Sequence, residues 1–249
     1  MASRPPPTLA ESLASAHEWW REAGVDFSYV ETPTAWLSEP EPAAEQAAPA
    51  APKQAEIAPP PPPSAGGSRH FWPTELAAFR TWWLEEPSLD AGGIAPRVAP
   101  RGEVGALVMM LVEMPEADDR DELLSGPQGR LLASFASAAG LPPDTLYLAS
   151  AMPRHTALPD WNRLAREGHG EVLRHHIQLA DPARLIVFGR NILSLLGHDP
   201  AQAAPAVSEI TIQQRSVPLL ASYAAGRLLE HPRLRSGLWQ QWLDWTDGE

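Results

Sequence analysis

An α/β fold, a three-layer sandwich around a four-stranded, mostly parallel central sheet, is predicted by three features of the sequence. Four apolar runs have strand length: ALVMMLVE (106–113), TLYLAS (145–150), RLIVFG (184–189) and VPLLASY (217–223). Segments with apolar residues at helical spacing lie between them, and Gly or Pro punctuates the junctions. Buried strands alternating with helices indicate a parallel sheet covered on both faces. Such folds gather their sites at the carboxyl ends of the strands.

The first element is a short helix. Thr8 and Glu11 have capping-box spacing, Leu9, Leu13, Ala16 and Trp20 share one face, and Gly24 ends the run. Its expected role is docking on a protein surface. Residues 38–69 are rich in Pro and Ala and nearly free of large apolar side chains, so they cannot offset the entropy of ordering and read as a disordered linker. Within it Pro59–Pro63 reads as a spacer rather than a polyproline ligand. FWPTELAAFRTWWLEEP is an amphipathic helix carrying Leu76, Phe79, Trp82 and Trp83. GPQGRLLASFASAAGL is a second, stopped by Gly140, and a polar helix is expected over 160–180. NILSLLG is a short helix, and Trp239, Trp242 and Trp245 place the last helix against the sheet. The expected organisation is a helical region (1–37), a linker (38–69) and one globular domain (70–249).

Composition narrows the function classes. The 249 residues include 28 prolines and no cysteine, which removes disulfides, thiolate nucleophiles and cysteine-ligated clusters. No run approaches the ~20 apolar residues of a membrane span, and the start MASRPPPTLAES has no apolar export segment, so a cytoplasmic protein is expected. The net charge of −12, with Lys53 the only lysine, opposes a broad nucleic-acid footprint. DNA binding is expected to be weak.

The strand ends carry more specific patterns. Val112-Glu113-Met114-Pro115-Glu116 follows the first strand as a G-E-x-P-G-like loop. Asp121-Glu122-Leu123-Leu124-Ser125-Gly126 and Gly129-Arg130-Leu131-Leu132 follow, corresponding to G-R-P-F-V-G and G-Q-L-L. Tyr147-Leu148-Ala149-Ser150 corresponds to Y-I-T-N, and the segment 182–189 to P-K-V-I-V-x-L-G. Ser222-Tyr223-Ala224-Ala225 opens a stretch through Pro232 that corresponds to T-Y-H-P-A-A-L-L-R-N-P. In this order over Gly105–Trp245, the segments resemble the uracil-DNA glycosylase superfamily, closest to its iron–sulfur branch, family 4. HEWWREAGVDFSYVETPTAWL is also similar to the start of some members of that branch.

The resemblance implies a four-stranded parallel sheet flanked by helices and a pocket whose chemistry this chain lacks. A glycosylase holds the flipped base against an aromatic ring, reads its edge and stabilises charge on the leaving base. The aromatic position is Leu124, the base-reading Asn is Ser150, and the anion-stabilising His is Ala224. Only the water-activating acid, Glu113, corresponds. One lost anion-stabilising donor costs roughly 10²–10³ in rate. Arg154 and His169 stand where the branch has two cluster cysteines, so no iron–sulfur cofactor is expected, and the spacing of His155, His169, His175 and His176 fits no metal ligand set. Those histidines read as solvated helix surface. Ser150 and His155 form a weak Ser/His pair without an orienting acid. Gly126, Pro127 and Gly129 read as a turn entering a helix. Arg227, Arg233 and Arg235 follow the loop that enters DNA in active relatives and are candidate contacts to DNA or to a partner.

Two functions follow. One is a catalytically inactive glycosylase-like scaffold binding a protein partner in a bacterial replication or repair assembly; the fold is reused in this way in a small accessory subunit of the bacterial clamp loader. The other is a divergent glycosylase that excises uracil or a related damaged base with Glu113 as its base.

Overall fold

The computed structural model describes residues 8–24, 64–198 and 207–247. Two units are distinguished, Met1–Ala58 and Pro59–Glu249. In the first, helix α1 spans Leu9–Glu22, and Thr8 and Glu11 form the expected capping box. None of its residues is buried, and Leu9, Leu13, Trp19 and Trp20 are exposed. The polyproline run and most of the expected linker lie outside the described residues. The end of that expected linker is corrected: Ala65 is buried, its N–H bonds Glu167 O at 2.6 Å, and Gly66 O accepts from Trp72 Nε1. The described part of the second unit therefore begins at Ser64, ahead of the expected boundary at residue 70.

The second unit is α/β. Its strands are β1 (Val108–Val112), β2 (Leu146–Ser150), β3 (Arg184–Phe188), β4 (Val207–Ile212) and β5 (Arg215–Ser222). They form one mixed sheet in the order β2-β1-β3-β5-β4. The four strands foreseen from apolar runs pair in parallel; the fifth, β4, adds antiparallel to β5 and corrects the expected four-stranded sheet. Ile212 faces Arg215 across a two-residue turn in which Gln213 has φ +55°. Tight hairpins usually place Gly or Asn in that conformation, so Gln-Gln gave no sequence signal.

Helices cover both faces. They are α2 (Leu76–Glu85), α3 (Pro127–Ala138), α4 (Trp161–Arg166), α5 (His169–Ala180), α6 (Arg190–Leu195), α7 (Ala225–Glu230) and α8 (Pro232–Thr246). The period of two along each strand sends Met109, Leu111, Tyr147, Leu185 and Val187 to one face, against α5 and α6. Val108, Met110, Val112, Ile186 and Phe188 go to the other, against α3, α7 and α8. Strand β1 is buried along its whole length because it is paired on both sides and covered on both faces. The edge of β2 is partly closed by Arg101, which exchanges backbone hydrogen bonds with Leu148.

The expected polar helix over 160–180 is two helices, broken where Gly168 adopts φ +88°. The expectation that its histidines are solvated is also overturned. His176 is fully buried between Phe79, Trp83 and Tyr147, with Nε2 2.8 Å from Tyr147 Oη. His175 donates from Nε2 to Pro73 O at 2.7 Å and packs on Trp72. His169 is 5% exposed. Four aromatic side chains of α2 and its flank supply the apolar surface that draws these rings inward.

Burial, with smaller contributions from His175 and Arg80, lowers His176 to about 3. Its folded pKa lies below the ordinary 6.5, so its contribution to stability is complete above pH 6.5 and is lost as pH falls from 6.5 towards 3. Chemical denaturation across that window should show stability falling with pH in the wild type. The His176→Gln variant should show a flatter dependence.

Candidate functional site

The carboxyl ends of the four parallel strands lie in register, with Val112 opposite both Ser150 and Phe188, and Phe188 opposite Ser222. The residue after β1 is Glu113. It is half-buried, and its Oε1 accepts from Asn191 Nδ2 of α6 at 2.9 Å. Gly189 makes room for it: a Cβ there would lie 2.5 Å from Glu113 Cγ, and φ is +132°. Burial raises the Glu113 pKa, and the Asn191 hydrogen bond offsets only part of that. No cation among the described residues forms an ion pair with it.

Two further carboxylates build the loop from β1 to α3. Glu116, 7% exposed, accepts from the backbone N–H groups of Gly126, Gln128 and Gly129 at 3.0–3.1 Å. It thus satisfies amides at the start of α3 that the helix leaves unpaired. Asp119, 2% exposed, accepts from the N–H groups of Glu116, Leu124 and Ser125 and from Ser125 Oγ. Pro127 stands in the first turn of α3, as the turn reading of Gly126, Pro127 and Gly129 expects. Gly129 is demanded by contact, since a Cβ would lie 1.7 Å from Leu124 O.

The three positions expected to have lost pocket chemistry are occupied as follows. Leu124 has φ +60° and is 3% exposed, its side chain packed in the core beneath α3. Ser150 is 2% exposed and donates from Oγ to Met152 O at 2.7 Å. Ala224 caps the start of α7 and brings only a methyl group. His155 lies with Nδ1 3.0 Å from Pro115 O, so Ser150 and His155 have separate partners. An apolar cleft of about 630 Å³ opens beside α3, lined by Arg101, Leu132, Ala136, Leu146 and Leu148 among others, but not by Glu113.

The three candidate arginines divide. Arg235 is turned inward: its Nη1 donates to Leu228 O and Leu229 O, both at 2.9 Å, closing the end of α7. Arg233 is exposed. Arg227 is exposed and lies 5.9 Å from the ring centre of Tyr223, which Arg190 approaches to 5.6 Å. Sequence reasoning missed Arg190 and Asn191 because they meet Tyr223 and Glu113 only through space, and it read Tyr223 only as part of a motif. Glu116 stood in the loop pattern after the first strand, but its amide partners lie up to 13 residues away.

Arg154 and His169, where the resemblance places cysteines, both fasten the loop before β1. Arg154 Nε and Arg97 Nε each donate to Asp90 Oδ2 at 2.9 Å. Arg154 also reaches Gly93 O and Ala95 O, and Arg97 reaches Leu84 O and Glu86 O. His169 Nε2 lies 2.9 Å from Leu89 O. Among the described residues, no group of three or more His, Asp or Glu is placed to hold a metal ion, and no helix is long and apolar enough to cross a membrane.

Two measurements follow. Burial raises Asp90, but the hydrogen bonds from Arg97, Arg154 and Gly92 outweigh it and hold the carboxyl below its ordinary value. Its contribution to stability is therefore present above the ordinary carboxyl pKa and lost as pH falls through the folded one. Asp90→Asn should cost about 3 kcal/mol in denaturant unfolding at neutral pH, as expected when one partner of a buried charge group is removed. Glu113 has the opposite sign. Its raised pKa makes ionisation costly in the fold, a cost that sets in as pH rises above 4.5. Glu113→Gln, which keeps an acceptor for Asn191, should raise Tm at neutral pH, with the gain vanishing below pH 4.5.

Comparison with protein-family models finds none that matches the chain, and comparison with curated proteins finds no match either.

Proposed function

We propose that the chain is a catalytically inactive protein of uracil-DNA glycosylase-like fold that acts as a binding subunit, with a protein partner in a bacterial DNA replication or repair assembly. Four parallel strands with helices on both faces are the framework the resemblance implies, with β4 as an addition. The observation that carries the functional reading is the inward commitment of the pocket positions. The Ser150 hydroxyl is spent on Met152 O, Leu124 is core, and Ala224 has no polar group. A flipped base would find neither an amide to read it nor a donor for its developing charge.

One observation favours the second reading, a divergent glycosylase that excises uracil or a related damaged base. Glu113 is a half-buried carboxylate with raised pKa at a strand end, an environment suited to a general base. Single-turnover incubation with labelled uracil- or hypoxanthine-containing DNA, beside Glu113→Ala, separates the two. The binding-subunit reading expects no base release and no salt-dependent DNA binding. Release that disappears in Glu113→Ala establishes the glycosylase instead.

A further inference from the structure

The Arg190–Tyr223–Arg227 group is a preorganised surface at the ends of β3 and β5. Both arginines are exposed, and both guanidinium carbons lie within 6 Å of the same tyrosine ring centre. Neither forms an ion pair with a carboxylate among the described residues, whereas Arg97, Arg101, Arg154, Arg163, Arg174 and Arg215 all do. Arg130, Arg166 and Arg233 are likewise exposed without an ion pair among the described residues, so what distinguishes Arg190 and Arg227 on this chain of net charge −12 is the tyrosine ring they share.

The physical consequence is a lowered ordering cost. A free arginine loses most of its rotamer freedom when it binds a carboxylate. The cation–π contact with Tyr223 restricts that freedom beforehand, so less is lost on binding. Tyr and Arg are also the residues enriched where binding energy concentrates in protein interfaces. One N–H of the neighbouring Asn191 amide is engaged by Glu113, and the guanidinium N–H groups add further donors for the acceptor groups of a ligand.

We propose that Arg190, Tyr223 and Arg227 form a docking site for a carboxylate-bearing peptide segment of a protein partner. The proposal rests on the binding-subunit reading and names the chemistry of the partner. Two arginines suit one or two carboxylates. They do not make the long cationic track that nucleic-acid backbones require, and the acidic remainder of the chain repels such a polyanion. Bidentate guanidinium–carboxylate pairing supplies the geometry, and the tyrosine edge supplies apolar contact for the adjoining peptide backbone.

Fluorescence anisotropy of the full chain with a fluorescein-labelled glutamate-rich peptide tests this, beside its glutamine counterpart and a single-stranded oligothymidylate of similar length. The glutamate peptide should bind, and the glutamine peptide should not. Arg190→Ala and Arg227→Ala should each weaken binding about tenfold, the scale of one lost charge-assisted pair. Tyr223→Phe should bind as wild type and Tyr223→Ala more weakly, and rising salt should weaken the wild type. Unchanged thermal unfolding in the variants assigns the losses to the site. Absence of peptide binding, equal binding of the glutamine peptide, or binding unaffected by the arginine variants overturns the proposal. Oligothymidylate binding that is lost in the arginine variants, with no peptide binding, assigns the surface to nucleic acid instead. The base-release assay reports separately on the binding-subunit reading.

Discussion

Two buried carboxylates set the geometry of the strand ends. An ionised carboxyl taken out of water costs several kcal/mol unless its oxygens are satisfied, and Glu116 and Asp119 meet that demand almost wholly with backbone amides. The amides come from residues up to 13 positions further along the chain, so the path from β1 to α3 must close tightly around the two side chains. That closure explains the strained and stripped positions nearby. Leu124 takes a left-handed conformation so that its N–H meets Asp119, and Gly129 lacks a side chain because Leu124 O occupies its place. The conformation that satisfies Asp119 is accompanied by burial of the Leu124 side chain, so the loop supports the core as much as it forms a surface.

The Asp90 group solves a similar problem in a different segment. Residues 86–101 contain only one short 3-10 helix, over Pro87–Leu89, and need fastening to the sheet unit. Asp90 draws Arg97 and Arg154 together across an isolated backbone bridge between those two residues. The guanidinium groups then satisfy four carbonyls of the 84–95 stretch, and His169 meets a fifth at Leu89. Two cations on one anion would be costly in a dry interior, and the carbonyl dipoles supply the remaining stabilisation. Polar side chains here perform the fastening with groups the chain itself carries.

What was legible in the sequence follows the range of each signal. Strands β1, β2, β3 and β5 were legible because each is a continuous apolar run, as buried parallel strands must be. Helices α2 and α3 showed in their apolar spacing and in their Gly or Pro boundaries. Strand β4 was not seen, because its turn uses Gln213 and Gln214 and only Ile210 and Ile212 point into the core. The break at Gly168 was passed over inside a polar-looking stretch, and His169 and His176 were taken for surface because histidine carries no fixed burial preference. Their burial was decided by Phe79, Trp83 and Tyr147, far away in the sequence. At the candidate site Glu113 was placed correctly at a strand end, yet its partner Asn191 and the Arg190–Tyr223 contact arise only when β3 and β5 come into register.

Glu113 differs from the other buried acids in what surrounds it. Glu116, Asp119 and Asp90 each receive several donors, so their charge is compensated within the fold. Glu113 receives one amide and no cation among the described residues, and burial raises its pKa. It also requires a glycine beneath it at position 189. A carboxylate whose charged form burial disfavours, and which constrains its neighbour, departs from local economy, and such departures concentrate where a surface meets a ligand. Glu113 is joined through Asn191 to the start of α6, where Arg190 lies against Tyr223. The acid and the two arginines thus share one rim of the sheet, with opposite charges held by separate supports. A partner that brings a carboxylate to the arginines would meet a half-buried acid alongside, which would favour a ligand that carries a hydrogen-bond donor next to its own negative charge.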